Sequence, residues 1–220
     1  MFKIALSNSE ELPTSKQYRL IGAITALVLV SLLSSSGGTP IEHTISNSWE
    51  GFIWGIADPV IGLDRLAGII ALGLLSAKFI RGVWIGLAFV LAALVGQIIH
   101  LCHLNLPGIE IAVAIVSIVF GVIFILPNPI SWLACSILSV IAGLFHGYAD
   151  SQAIMGAEML TLTAYLLGVI LSQTAIVLSA RKIGIMISNK ASNQILNKTI
   201  RWVGLTFCAI GIVFLANAVI

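Results

Sequence analysis

The segment Gly82–Leu101, GVWIGLAFVLAALVGQIIHL, runs for 20 residues without an aspartate, glutamate, lysine or arginine. At 1.5 Å per residue, a helix of that length covers the roughly 30 Å hydrocarbon core of a bilayer. Further apolar runs lie at 51–80, 109–126, 130–148, 159–180 and 202–220, with a shorter one from Tyr18 to Leu33. The chain of 220 residues is 59% apolar and 9% charged, with a mean hydropathy of +1.08, whereas a soluble domain is about 25% charged. The expected fold is an all-α integral membrane protein, a bundle of six transmembrane helices plus the N-terminal hydrophobic segment. No room is left for a sizeable soluble domain, so any site must lie inside the bundle or at its rim.

Residues 1–38 read differently from the single polytopic domain expected over 39–220. The heart of the first run, Leu20–Leu33, follows positive charge and precedes Ser34-Ser35-Ser36-Gly37-Gly38. That arrangement suits a cleavable signal peptide as well as a first span. Cys102, Cys135 and Cys208 are too widely spaced for a CxxC metal site or a disulfide framework. A net charge of +2 without a soluble basic face argues against nucleic acid as a partner. No GxSxG, HExxH, P-loop or dinucleotide glycine motif occurs, so no enzyme is expected.

Sorting the charges gives an orientation. With a cytoplasmic N-terminus, Lys3, Lys16, Arg19, Lys78, Arg81 and the basic residues of the expected loop 181–201 all fall inside, ten of the eleven lysines and arginines. Arg65, the eleventh, lies within a span. Glu42, His43, Glu50, His100, His103, Glu110, His146, Asp150 and Glu158 gather at the opposite, outer rim. The positive-inside rule leaves carboxylates and imidazoles unconstrained, so their one-sidedness points to an outward-facing cation funnel; the competing explanation is that acidic residues fill loops vacated by basic ones. The membrane expected is a bacterial-type inner membrane.

The run 51–80 contains Asp58-Pro59-Val60-Ile61-Gly62-Leu63-Asp64-Arg65. Ionisable groups within a span are costly in lipid and therefore mark functional sites by default. In a continuous helix Asp58 and Arg65, seven apart, return to nearly one face, with Asp64 about 120° round and about 9 Å deeper. Pro59 blurs that phase and frees carbonyls that could join the carboxylates as oxygen ligands; alternatively an internal Asp–Arg pair clips two helices together. His146 and Asp150 are i and i+4, placed to share a cation or to fix a tautomer if the helix persists. His100 and His103 are spaced i, i+3 at the outer end of the run 82–101, and Glu110 opens the next one. Mixed imidazole and carboxylate favour borderline divalent metals. The expected metal-ligating residues are thus Asp58, Asp64, His146, Asp150, Glu110, His100 and His103. Gly51-xxx-Gly55, Gly82-xxx-Gly86 and Gly143-xxx-Gly147 read as close helix packing.

Three segments together resemble the HupE/UreJ family of nickel/cobalt permeases. Pro59, Gly62 and Asp64 match a His-Pro-x-x-Gly-x-Asp-His pattern, Leu106, Pro107, Gly108 and Glu110 match Leu-Pro-Gly-x-Glu, and Phe145, His146, Gly147 and Ala149 match Phe-His-Gly-x-Ala-His. Asp58, Arg65 and Asp150 stand where those patterns have histidine. The resemblance implies a secondary permease for a divalent transition-metal cation, nickel or cobalt, carrying the metal as substrate with no permanently bound cofactor. Its partners would be the lipid bilayer and the metal, with a homo-oligomer or another membrane subunit also open. Two alternatives stand beside it: a non-transporting membrane subunit or assembly factor that lost part of the ligand set, and a channel or carrier for protons or another small solute.

Overall fold

The computed structural model describes residues 14–34, 45–126, 130–190 and 193–219. Glu42, His43 and the Pro127-Asn128-Pro129 stop lie outside the described residues. Eight α-helices carry them: α1 (Thr14–Ser34), α2 (Ser48–Ile61), α3 (Leu63–Ser76), α4 (Gly82–Leu101), α5 (Ile109–Ile125), α6 (Trp132–Asp150), α7 (Met159–Lys190) and α8 (Asn193–Val219), with a 3₁₀ turn at Ser151–Ile154. The protein is an all-helical membrane protein, with no strand among the described residues. Helices α4, α6, α7 and α8 are long and apolar enough to cross a bilayer, and α2 with α3 makes a fifth if counted as one span; α1 and α5 are shorter apolar helices.

The stretch 51–80, read above as one span, is two helices bent by 79°. Pro59 lacks the N–H that would continue the ladder and crowds the preceding turn. Three residues beyond it Gly62 takes an extended backbone, φ −78° and ψ 112°, and closes α2 while opening α3. Hydroxyls from neighbouring helices bond carbonyls in the second half of α2: Ser172 Oγ donates to the Ile56 oxygen at 2.9 Å and Ser31 Oγ to the Ile61 oxygen at 3.4 Å. Supplying such partners is how a bundle tolerates broken helices away from water.

Helix α7 is the splint for the broken pair. A Cβ on Gly51 would lie 2.6 Å from the Thr161 oxygen, and one on Gly55 would collide with the backbone of Tyr165. Gly73 approaches the Val177 oxygen at 2.7 Å and Gly184 the Ala77 methyl at 2.7 Å by the same measure. From Thr161 to Gly184 is about 35 Å along a helix axis. The two half-helices therefore progress along α7 from one end of the bundle to the other. Helix α3 is buried almost all round from Leu66 to Gly73, as befits the central helix. Leu66, Ile69, Leu72 and Leu75 pack there with Ile85, Phe89 and Phe120.

Two further pairs complete the bundle. Gly143 and Gly147 of α6 lie directly on the α4 backbone at Phe89 and Ala93, and Gly121 of α5 lies 2.6 Å from the Gly204 oxygen of α8, again measured from an added Cβ. The expected basic loop 181–201 is corrected: Arg181 to Lys190 continue α7, and α8 already starts at Asn193. No proline interrupts the stretch after Ala180, so the helix carries on under its charged residues. Arg181 Nη2 donates to the carbonyls of Phe79 and Ile80, at 3.3 and 3.5 Å, and ties α7 to the link between α3 and α4. Lys78 in that link sits 4.9 Å from the centroid of the Phe124 ring, and burial lowers its amine below the usual lysine range. Lys78, Arg81, Arg181 and Lys182 thus share one end of the bundle, while His100, His103, Glu110, Glu50 and Glu158 belong to helix ends at the other.

Candidate functional site

The break at Gly62 lies among buried and half-buried polar side chains from four helices. Asp58 ends up 7% exposed near the close of α2, and Asp64 and Arg65 open α3 just beyond the bend. His146 and Asp150, on the last turns of α6, are 0% and 1% exposed. Tyr165 and Gln173 of α7 close the group from the opposite side, both fully buried.

The Tyr165 hydroxyl sits 2.7 Å from Asp58 Oδ2 and 2.6 Å from the main-chain oxygen of Asp150, with one proton to donate between the two acceptors. Gln173 Nε2 donates to Asp150 Oδ2 at 3.0 Å. Arg65 Nη1 lies 3.3 Å from Asp150 Oδ1. The internal Asp–Arg pair therefore joins α3 to α6 through Asp150. The 79° bend breaks the continuous-helix phase used to set Asp58 beside Arg65, although Asp58 still acts on the guanidinium electrostatically.

His146 is held from within its own helix. Its Nδ1 is 2.8 Å from the Ala142 carbonyl oxygen, which accepts only, so Nδ1 carries the hydrogen and a neutral ring keeps its lone pair on Nε2. That Nε2 is buried with no hydrogen-bond partner among the described residues. It points at Gly68 of α3, where an added Cβ would collide with it, while the Phe89 ring meets the imidazole edge-on with centroids 5.5 Å apart. Asp64 and Arg65 both act on His146 electrostatically. Helix α6 does persist to Asp150, but His146 turns to Ala142, Gly68 and Phe89 while Asp150 turns to Arg65 and Gln173. Other buried atoms left without a hydrogen bond among the described residues include Asp150 Oδ1, Gln173 Oε1 and both amide atoms of Gln97 on α4.

The rim residues divide. His100 is buried, its Nδ1 2.8 Å from Ser151 Oγ and its ring stacked on Tyr148 at 4.2 Å. The Tyr148 hydroxyl donates to the Leu104 oxygen at 2.9 Å and accepts from the Leu106 N–H at 3.0 Å, which pins the loop between α4 and α5. His100, Tyr148, Leu106 and Glu110 line a cavity of about 540 Å³. His103 is exposed, in a left-handed turn at φ 58°, and is not part of that lining. Among the described residues, no three or more His, Cys, Asp or Glu side chains converge as a metal-binding group.

Reading the sequence missed Tyr165, Gln173, Gly68 and Gln97. The two glutamines carried a signal, since a lone amide in an apolar helix needs a partner inside the bundle as an ionisable group does. Compared with known families, residues 21–214 match the one described as HupE / UreJ protein. No curated protein and no solved structure matches the chain.

Proposed function

The chain belongs to the HupE/UreJ family, and from that membership we propose that it is a secondary permease carrying a divalent transition-metal cation, nickel or cobalt, across the membrane. One observation supports this above the others: a buried imidazole lone pair, His146 Nε2, with no hydrogen-bond partner among the described residues and within electrostatic reach of Asp64 at a break in the helices. Nitrogen of that kind suits nickel and cobalt, and the neighbouring carboxylates supply the negative charge that a dication needs in a low dielectric. Asp58, Asp64, Asp150 and His146 are the residues we assign to the interior site. His100 and Glu110 at the cavity, with His103 beside them on the exposed loop, gather the ion at the rim. We further place the basic end of the bundle in the cytoplasm of an inner membrane and the histidine-rich end outside. An inward-negative potential then contributes roughly 2.3 kcal/mol per charge per 100 mV to uptake.

The test is uptake of labelled nickel and cobalt by cells expressing the wild type, Asp64→Asn and His146→Ala. Uptake by the wild type and its loss in both variants are expected; wild-type uptake no better than an empty vector sinks the permease. A non-transporting membrane subunit is the second reading, favoured by the Arg65–Asp150 ion pair. There the pair is structural, and Arg65→Gln with Asp150→Asn together are better tolerated in folding than either alone.

A further inference from the structure

Taking the permease reading as its premise, we infer that Arg65 is the resident cation of the interior site, seated on Asp150 while the site is empty and displaced from it by each arriving metal ion. Asp58, Asp64 and Asp150 all lie within electrostatic reach of this one guanidinium. The contact itself is loose. Arg65 Nη1 to Asp150 Oδ1 is 3.3 Å, longer than the roughly 2.7–2.9 Å of a tight charge-assisted bond, and Oδ1 accepts no hydrogen bond among the described residues. The other oxygen, Oδ2, is held by Gln173. The carboxylate is thereby pinned on one side and left with open coordination on the side that the guanidinium faces.

Arg65 is less enclosed than its partner. Its side chain is 11% exposed against 1% for Asp150. Its stem lies over Gly62, where an added Cβ would meet Arg65 Cδ at 3.1 Å and Cγ at 3.3 Å. The bare backbone at the bend leaves room for that stem, and any side chain there would crowd it.

The physical need is two-sided. Buried carboxylates without a counter-ion are costly, so an empty site requires a cation of its own. Carboxylates and imidazole without such a competitor would hold a dication too firmly to let it leave, and conduction requires binding weak enough for release. A guanidinium meets both needs because it has no lone pair and never becomes a ligand itself.

Nickel chloride binding to the purified full chain, read by titration calorimetry, and nickel uptake by expressing cells form the test. Arg65→Gln is expected to tighten binding about tenfold or more, and to lower the KM and the maximal rate of uptake together. Arg65→Lys keeps the charge and stays within about threefold of the wild type. Unchanged or weaker binding by Arg65→Gln overturns the inference. If that variant does not fold, Asp150→Asn is compared with the Asp150→Asn, Arg65→Gln double variant: the double binds nickel about tenfold tighter than the single if Arg65 repels the ion, and equal affinity overturns the inference. Absence of uptake by the wild type would fail the permease reading, whereas wild-type uptake with unaltered Arg65→Gln kinetics fails the resident cation alone.

Discussion

Gly68 owes its identity to His146: the imidazole Nε2 takes the space in which any other residue would place its Cβ, and Cε1 would lie 2.9 Å from that carbon. Gly68→Ala must push the ring away, at about 1–3 kcal/mol for overpacking a filled core. Nickel uptake per inserted molecule should then fall as far as in His146→Ala; wild-type uptake in Gly68→Ala would show that the lone pair is not used. Tyr165→Phe removes the hydroxyl that links Asp58 to the Asp150 backbone, and should lower stability by about 1–3 kcal/mol, read as a lower midpoint of thermal unfolding in detergent. The charged residues of this cluster were legible in the sequence because lipid makes each of them conspicuous. Tyr165 and Gln173 were not, because Asp58 meets Tyr165 across 107 residues and Asp150 meets Gln173 across 23. Arg65 was legible as an anomaly. Its partner was not, since the helical phase used to seek one assumes a straight axis.

At the scale of elements, α4 and α5 lie where the apolar runs placed them, within a residue of 82–101 and 109–126. Composition sufficed there because a charge-free run ends where polar or turn residues begin. It failed at 51–80, where Pro59 announced a disturbance but not its 79° size, which depends on α7 and α1 supplying partners to α2 carbonyls. It failed again after Ala180, where positive charge was read as loop although a helix protruding from lipid carries such charge readily. The glycine spacings were read as packing, and the contacts agree. Gly147 lies on the Ala93 carbonyl, whereas Gly22 of α1 has open space where its Cβ would be. Gly147→Ala should therefore part α6 from α4 and destabilise by roughly 1–3 kcal/mol, while Gly22→Ala stays within about 0.5 kcal/mol of the wild type. Thermal unfolding of the two variants side by side checks this, and equal midpoints would discount the α4–α6 contact.

Across the whole molecule, the separation of basic from histidine-rich ends needs the α2–α3 pair to carry the chain from one to the other. Trp49, 68% exposed before the bend, and Arg81, exposed after it, are the reporters. A cysteine replacing each in a background without Cys102, Cys135 and Cys208 should react with a membrane-impermeant maleimide from opposite faces. Labelling from the same face would make the pair a re-entrant loop and reverse the sidedness of every later helix. The splint α7 has a consequence of another kind. Its 32 residues make a rod of about 48 Å, against a hydrocarbon layer of about 30 Å. A rod that long tilts or stands proud of the layer, and its tilt follows lipid chain length. Both half-helices ride on it and Tyr165 and Gln173 belong to it, so bilayer thickness becomes a mechanical input to the polar cluster, transmitted by one rigid element.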